Sequence, residues 1–124
     1  MEIISTIKGA APQAPYSQGV ISGDYIFTAG QIALEPVTAQ RIGDTMAEQA
    51  EQVCKNLKAI LEAAGSSCDK VIKANCFITD MSKFGEFNEV YVKYFPHKPA
   101  RTCVQVVALP LTGFQCEVEV IAER

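Results

Sequence analysis

One stretch, Thr45 to Gly65, constrains the fold of this chain more than any other. Met46, Ala50, Val53, Leu57, Leu61 and Ala64 recur at steps of three and four, which places them on one apolar face of a helix. Thr45 and Glu48 stand at capping-box spacing, where each side chain satisfies the other residue's free backbone N–H. Gly65 supplies a C-terminal stop. A helix with one dry face must lie on a second layer.

Short strands supply that layer. Ile3 to Ile7 is one candidate. Val20-Ile21 and Tyr25 to Ala29 flank the turn Ser22-Gly23-Asp24. Gly30 to Leu34 continues the second of these past a glycine, which marks a bulge or a close backbone approach. Glu35-Pro36 opens a loop that ends near Gly43. After the helix, Val71 to Thr79 reads as a strand. A second helix follows with Phe84, Phe87, Tyr91 and Tyr94 on one side. Gly85 weakens it by about 1 kcal/mol relative to Ala, and Pro96 ends it. Thr102 to Leu109 and Phe114 to Ala122 close the chain around the turn Pro110-Leu111-Thr112-Gly113. The predicted order is β-β-β-α-β-α-β-β, an α+β fold in one domain over residues 1–124, with two helices on one face of a mixed sheet. The other sheet face then needs cover, which is expected from further subunits.

Charge and cysteine content exclude several function classes. There are 11 Lys+Arg against 14 Asp+Glu, a net charge of -3, so nothing advertises affinity for nucleic acid or an anionic membrane. The 5 cysteines are odd in number, no pair reads C-x-x-C, and His97 is the only histidine, which argues against zinc sites and a disulfide framework. The N-terminus shows no cationic segment before an apolar run. No apolar stretch approaches the ~18 residues of a membrane helix. These features predict a soluble, reduced, cytoplasmic protein.

Few residues carry chemistry. Arg101 stands at the start of an apolar strand with Cys103 two residues on, so both face one way. A guanidinium matches a carboxylate in a two-pronged pair, so this face suits a small organic acid; a strand-end Arg paired with a surface carboxylate is the plainer alternative. Glu117 and Glu119 share one face of the last strand. Either is a candidate proton acceptor, or both form an ordinary polar face. If the last two strands formed a regular hairpin, the parity of the register would decide whether Arg101 and Glu117 share a face. Pro12 and Pro15 hold an extended loop that presents Tyr16 to a pocket or to the core edge. Ala29-Gly30-Gln31 offers close backbone approach to a ligand, or a simple bulge. The second helix's aromatics read as core or interface rather than a stacking platform. Asn88 reads as a solvated helix position, or as a hydrogen-bonding group across an interface. Cys103 has no triad and reads as a small buried hydrophobe. No phosphate loop, dinucleotide fingerprint or metal constellation is present.

Five segments together carry a resemblance. They are Ala14-Pro15-Tyr16-Ser17-Gln18-Gly19, Phe27-Thr28-Ala29-Gly30-Gln31-Ile32, Phe77-Ile78-Thr79-Asp80, Pro99-Ala100-Arg101-Thr102-Cys103-Val104 and Glu117-Val118-Glu119-Val120-Ile121-Ala122. In this order they resemble the Rid family (YjgF type), specifically its RidA branch, over nearly the whole chain. The resemblance implies a chorismate-mutase-like fold assembled as a homotrimer, with clefts between subunits. It implies deamination of 2-iminobutanoate and 2-iminopropanoate without a cofactor. By position, Arg101 would clamp the substrate carboxylate and Glu117 would position the attacking water. Tyr16 would close the pocket, Cys103 would line it, and Ala29, Gly30 and Gln31 would border the imine end. Asn88 matches a pocket-side position. Ala29 stands where many relatives have Ser, and the stretch Pro110 to Glu117 is one residue longer, so a bulge there would exchange Glu117 for Glu119. A ligand-binding regulatory or chaperone-like trimer and a ribonuclease are the alternatives within the family. The acidic balance argues against the ribonuclease.

Overall fold

The computed structural model describes residues 1–124. The first helix, α1, spans Met46–Ala63, and Thr45 and Glu48 form the expected reciprocal capping box. Its far end closes as a Schellman motif: Gly65, at φ +79, donates to the Glu62 carbonyl and Ser66 donates to that of Leu61. The predicted stripe is dry along Met46, Ala50, Val53, Leu57 and Leu61.

That stripe lies on a six-stranded sheet: β1 (Glu2–Ile4), β2 (Gly19–Ser22), β3 (Tyr25–Thr28), β4 (Val71–Ile78), β5 (Ala100–Gln105) and β6 (Cys116–Glu123). The second helix, α2 (Phe84–Tyr94), packs beside α1 and bridges β4 to β5. The spatial order is β1-β2-β3-β6-β4-β5. Several strands end earlier than the sequence expectation: β1 ends at Ile4, not Ile7, and β5 ends at Gln105, not Leu109.

The expected terminal hairpin does not exist. β5 pairs in parallel with β4, and β6 pairs antiparallel with both β4 and β3. A crossover helix such as α2 joins parallel neighbours, so β4 and β5 take each other and β6 fills the gap beyond β4. Alternation along β6 then fixes the faces. Cys116, Val118, Val120 and Ala122 are buried under the helices, while Glu117, Glu119 and Ile121 face the other way. No layer of this chain covers that second face, which leaves Ile3, Phe27 and Val104 exposed.

Between β3 and the next segment the register slips by one. Tyr25 pairs with Glu123, but Gln31 bridges Val118. The extra residue lies at Ala29-Gly30, so this glycine sits in a bulge. Gly30 to Leu34 is held by isolated bridges instead of a continued strand.

Candidate active site

The bulge and β6 form one wall of a cavity. Gly30 lies directly against the Glu117 side chain: a Cβ there would come within 2.8 Å of its Cδ, and closer still to Oε2. The cavity, about 330 Å³, is lined by Tyr16, Gly30, Ile32, Leu34, Pro110 and Glu117 among others. A smaller adjoining hollow adds Ala29. Burial, and after it the charge of Glu119, raises the Glu117 carboxyl above its ordinary value. An apolar pocket with one carboxyl of raised pKa suits proton transfer to a small substrate.

The longer Pro110–Glu117 stretch is absorbed in the turn. β6 pairs with β4 without interruption from Cys116 to Ile121. Glu117 therefore keeps the pocket, and Glu119 turns to Asn75, whose Nδ2 donates to it at 3.3 Å.

Arg101 lies elsewhere. It opposes Ala74, which opposes Val120, and directly opposed residues share a face. Glu117 opposes Phe77, which opposes Val104. Arg101 is thus on the helix face and Glu117 on the open face of the same sheet. The parity argument chose the wrong neighbour, because β4 intervenes. The surface-carboxylate alternative also fails: Arg101 Nη1 donates to Asn88 Oδ1 at 2.7 Å, and the chain's ion pairs are Arg41–Asp44 and Arg124–Glu2. Asn88 is consequently a partner of Arg101 and not a merely solvated position. The Arg101 guanidinium lies 4.7 Å from the Tyr91 ring centre and 5.4 Å from that of Phe84, while Phe87 and Tyr91 are buried in the core as expected. Cys103, half-buried beside Cys76, joins this group; burial raises its thiol, with Arg101 opposing.

Gln31 is brought to neither group. It is buried, and its amide Nε2 folds back onto the Ala29 and Gly30 carbonyls, so it fixes the bulge instead of bordering the pocket. His97 caps the Val71 carbonyl at 2.8 Å. No three His, Cys, Asp or Glu side chains converge as a metal site, and no helix is long and apolar enough to cross a membrane.

Three buried amides missed from the sequence hold the pocket walls. Gln18 accepts from Thr6 N and donates to the Ala10 carbonyl, fixing the loop that carries Tyr16. Asn56 donates to the Leu34 carbonyl at 2.9 Å. Gln49 donates to the Gly43 and Gly113 carbonyls and accepts from Gln115 N, tying down the turn after Pro110. Gln49 and Asn56 interrupt the apolar side of α1, which was their signal: a polar residue on a dry face needs a backbone partner.

Comparisons with known proteins bear on the family and the fold. The family model described as "Endoribonuclease L-PSP" matches residues 6–124. "RutC family protein SSO3206" of Saccharolobus solfataricus is 44% identical over 99% of this chain and 98% of its own length. "Reactive Intermediate Deaminase A, chloroplastic" of Arabidopsis thaliana is 39% identical, over 98% of this chain and 65% of its own length. The crystal structure of RidA from the Antarctic bacterium Psychrobacter sp. PAMC 21119 superposes with a TM-score of 0.95 at 41% identity, covering 100% of both chains. Its fold is the chorismate-mutase-like arrangement seen here, two helices on a six-stranded mixed sheet. With sequence and fold in agreement, the chain belongs to the Rid (YjgF) family.

Proposed function

We propose that this protein hydrolyses reactive 2-imino acids, such as 2-iminobutanoate and 2-iminopropanoate, to 2-oxo acids and ammonia, in sites shared between copies of a homotrimer. The observation that carries this reading is the split of the two groups. One sheet face presents a carboxyl with a raised pKa in a small apolar pocket. The other presents a guanidinium without a carboxylate partner. One substrate needs both, so Arg101 of one copy would meet Glu117 of the next. The exposed Ile3, Phe27 and Val104 give that second copy an apolar surface to cover.

In this scheme Arg101 holds the substrate carboxylate in a bidentate pair. Glu117 takes a proton from water as the water oxygen bonds to the imine carbon and the C=N π pair moves to nitrogen. The nitrogen receives that proton, the hydroxyl proton then passes through Glu117 to the same nitrogen, and ammonia departs as the C–N bond breaks and the C=O forms. The imine carbon is already electrophilic, so placement and proton transfer suffice and no covalent nucleophile is needed. The name of the Arabidopsis relative supports this chemistry.

The test couples the protein to a threonine dehydratase with semicarbazide competing for the imine. Wild type should speed release of 2-oxobutanoate, while Arg101→Ala and Glu117→Gln should each be nearly silent, with only a small residual rate. Co-expressing the two variants should restore about one quarter of the wild-type rate, because random mixing of a cyclic trimer leaves that fraction of interfaces with both groups. Equal 2-oxobutanoate yield from wild type and Arg101→Ala would overturn the deaminase reading. Silence of the mixed trimer would overturn the shared site.

A further inference from the structure

Residues Phe84, Asn88 and Tyr91 recur at i, i+4 and i+7 of α2, so they form one stripe along the helix. Arg101 of β5 lies against that stripe. Its Nη1 donates to Asn88 Oδ1 at 2.7 Å, and its central carbon stands over both rings, at 4.7 Å from Tyr91 and 5.4 Å from Phe84. Every one of these partners is electrically neutral.

We infer that Phe84 and Tyr91 are positioning residues that hold Arg101 without neutralising it, making the guanidinium a pre-aimed receptor for a carboxylate. This rests on the proposed deaminase reading and deepens it. A flexible arginine loses several rotamers when it binds an anion, and a fixed one has lost them beforehand. A carboxylate neighbour would also fix the side chain, but it would then compete with the substrate for the same N–H fork. Aromatic faces attract the cation through their quadrupole and leave its in-plane donors free. Asn88 takes one of five N–H donors. The cradle therefore combines two properties that an ion pair cannot: rigid placement and undiminished charge. A lysine at position 101 would lose both the stacking and the fork.

The experiment measures the dissociation constant for 2-oxobutanoate by calorimetry, together with apparent KM and kcat in an amino-acid-oxidase-coupled imine assay. Its variants are Phe84→Leu, Tyr91→Leu, Tyr91→Phe and Arg101→Ala. Phe84 is the fold-safe arm, since its side chain is 36% exposed. Loss of a ring face should weaken binding and raise KM by about threefold for Phe84→Leu and about tenfold for Tyr91→Leu, with kcat little changed. Tyr91→Phe keeps the ring and should restore the wild-type constants, a rescue that lost packing alone would not predict. Unchanged binding in both leucine variants, with Arg101→Ala inactive, overturns the cradle and leaves the deaminase reading intact. Equal weakening in Tyr91→Phe and Tyr91→Leu also overturns the cradle, because the ring face then carries nothing. Arg101→Ala with wild-type activity overturns the deaminase reading itself.

Discussion

Gly30→Ala separates the chemistry of this site from its stability. Gly30 is not among the glycines held at positive φ, so its backbone admits alanine without strain. The obstacle is the Glu117 side chain. The new Cβ would lie 2.8 Å from Cδ and 3.1 Å from Cγ. Carbon contacts are comfortable at about 3.5–4.0 Å, so the carboxyl must withdraw by on the order of 1 Å. It is the free end of a half-buried side chain and can rotate away. Stability should change by no more than about 1 kcal/mol, because a lost glycine also lowers the entropy of the unfolded chain by ~0.4–1 kcal/mol. A misplacement of that size in a proton-transfer group should cost about 100-fold in kcat/KM. The double variant with Glu117→Gln completes the reasoning. If Gly30 matters only by making room for Glu117, adding Gly30→Ala to Glu117→Gln should cost nothing more. A Gly30→Ala protein with kcat/KM near wild type, or a loss that multiplies in the double variant, would refute the argument.

Four other outcomes are expected. Since burial and then Glu119 raise the Glu117 carboxyl, the acid limb of kcat/KM should lie above the ordinary carboxylate range, and Glu119→Gln should move it to lower pH. The same shift gives a stability sign: Glu117 contributes stability while protonated and loses it as pH rises through its raised folded pKa, so Glu117→Gln should raise Tm near neutral pH and do nothing below the ordinary carboxylate pKa. Gln49→Leu strips partners from the Gly43 and Gly113 carbonyls and Gln115 N, and should lower unfolding stability by on the order of 3 kcal/mol in urea titrations. The Tyr91 hydroxyl is buried without a partner, so Tyr91→Phe should gain about 1 kcal/mol in the same titrations.

How much of this was legible in the sequence depended on how local the cause was. α1 was readable because its cap, its stripe and its stop lie within 21 residues of one another in the chain, Thr45 to Gly65. The bulge at Gly30 announced itself through a glycine inside a strand pattern, although not which side chain would fill the space. Strand order was not legible, because it is set by pairings between distant segments. Consecutive strands are neighbours in roughly two thirds of cases, and β5 and β6 belong to the remainder. The carbonyls bonded by Gln49 and Asn56 are likewise distant, at Gly113 and Leu34. Only the polar interruption of an apolar stripe hinted at them.

Strand order also decides what a site in this fold can be. With β4 between β5 and β6, Arg101 and Glu117 are separated by the sheet itself. A substrate with a four-carbon skeleton cannot reach from one face of a sheet to the other, since the hydrogen-bonded backbone lies between and side chains leave it in opposite directions. Arg101 is nonetheless on β5, the edge strand, where a second copy has access. Under the proposed reading, a neighbour that lays its open face against this edge brings its own Glu117 pocket to Arg101. The same contact shields Phe27 and Val104, which no element of their own chain covers. Two incomplete features of the isolated chain, a divided site and an uncovered apolar face, thus have one common solution. The parity question asked whether two residues of one strand pair point the same way. Under the proposed reading they must instead point apart, so that each can meet the other's counterpart across an interface.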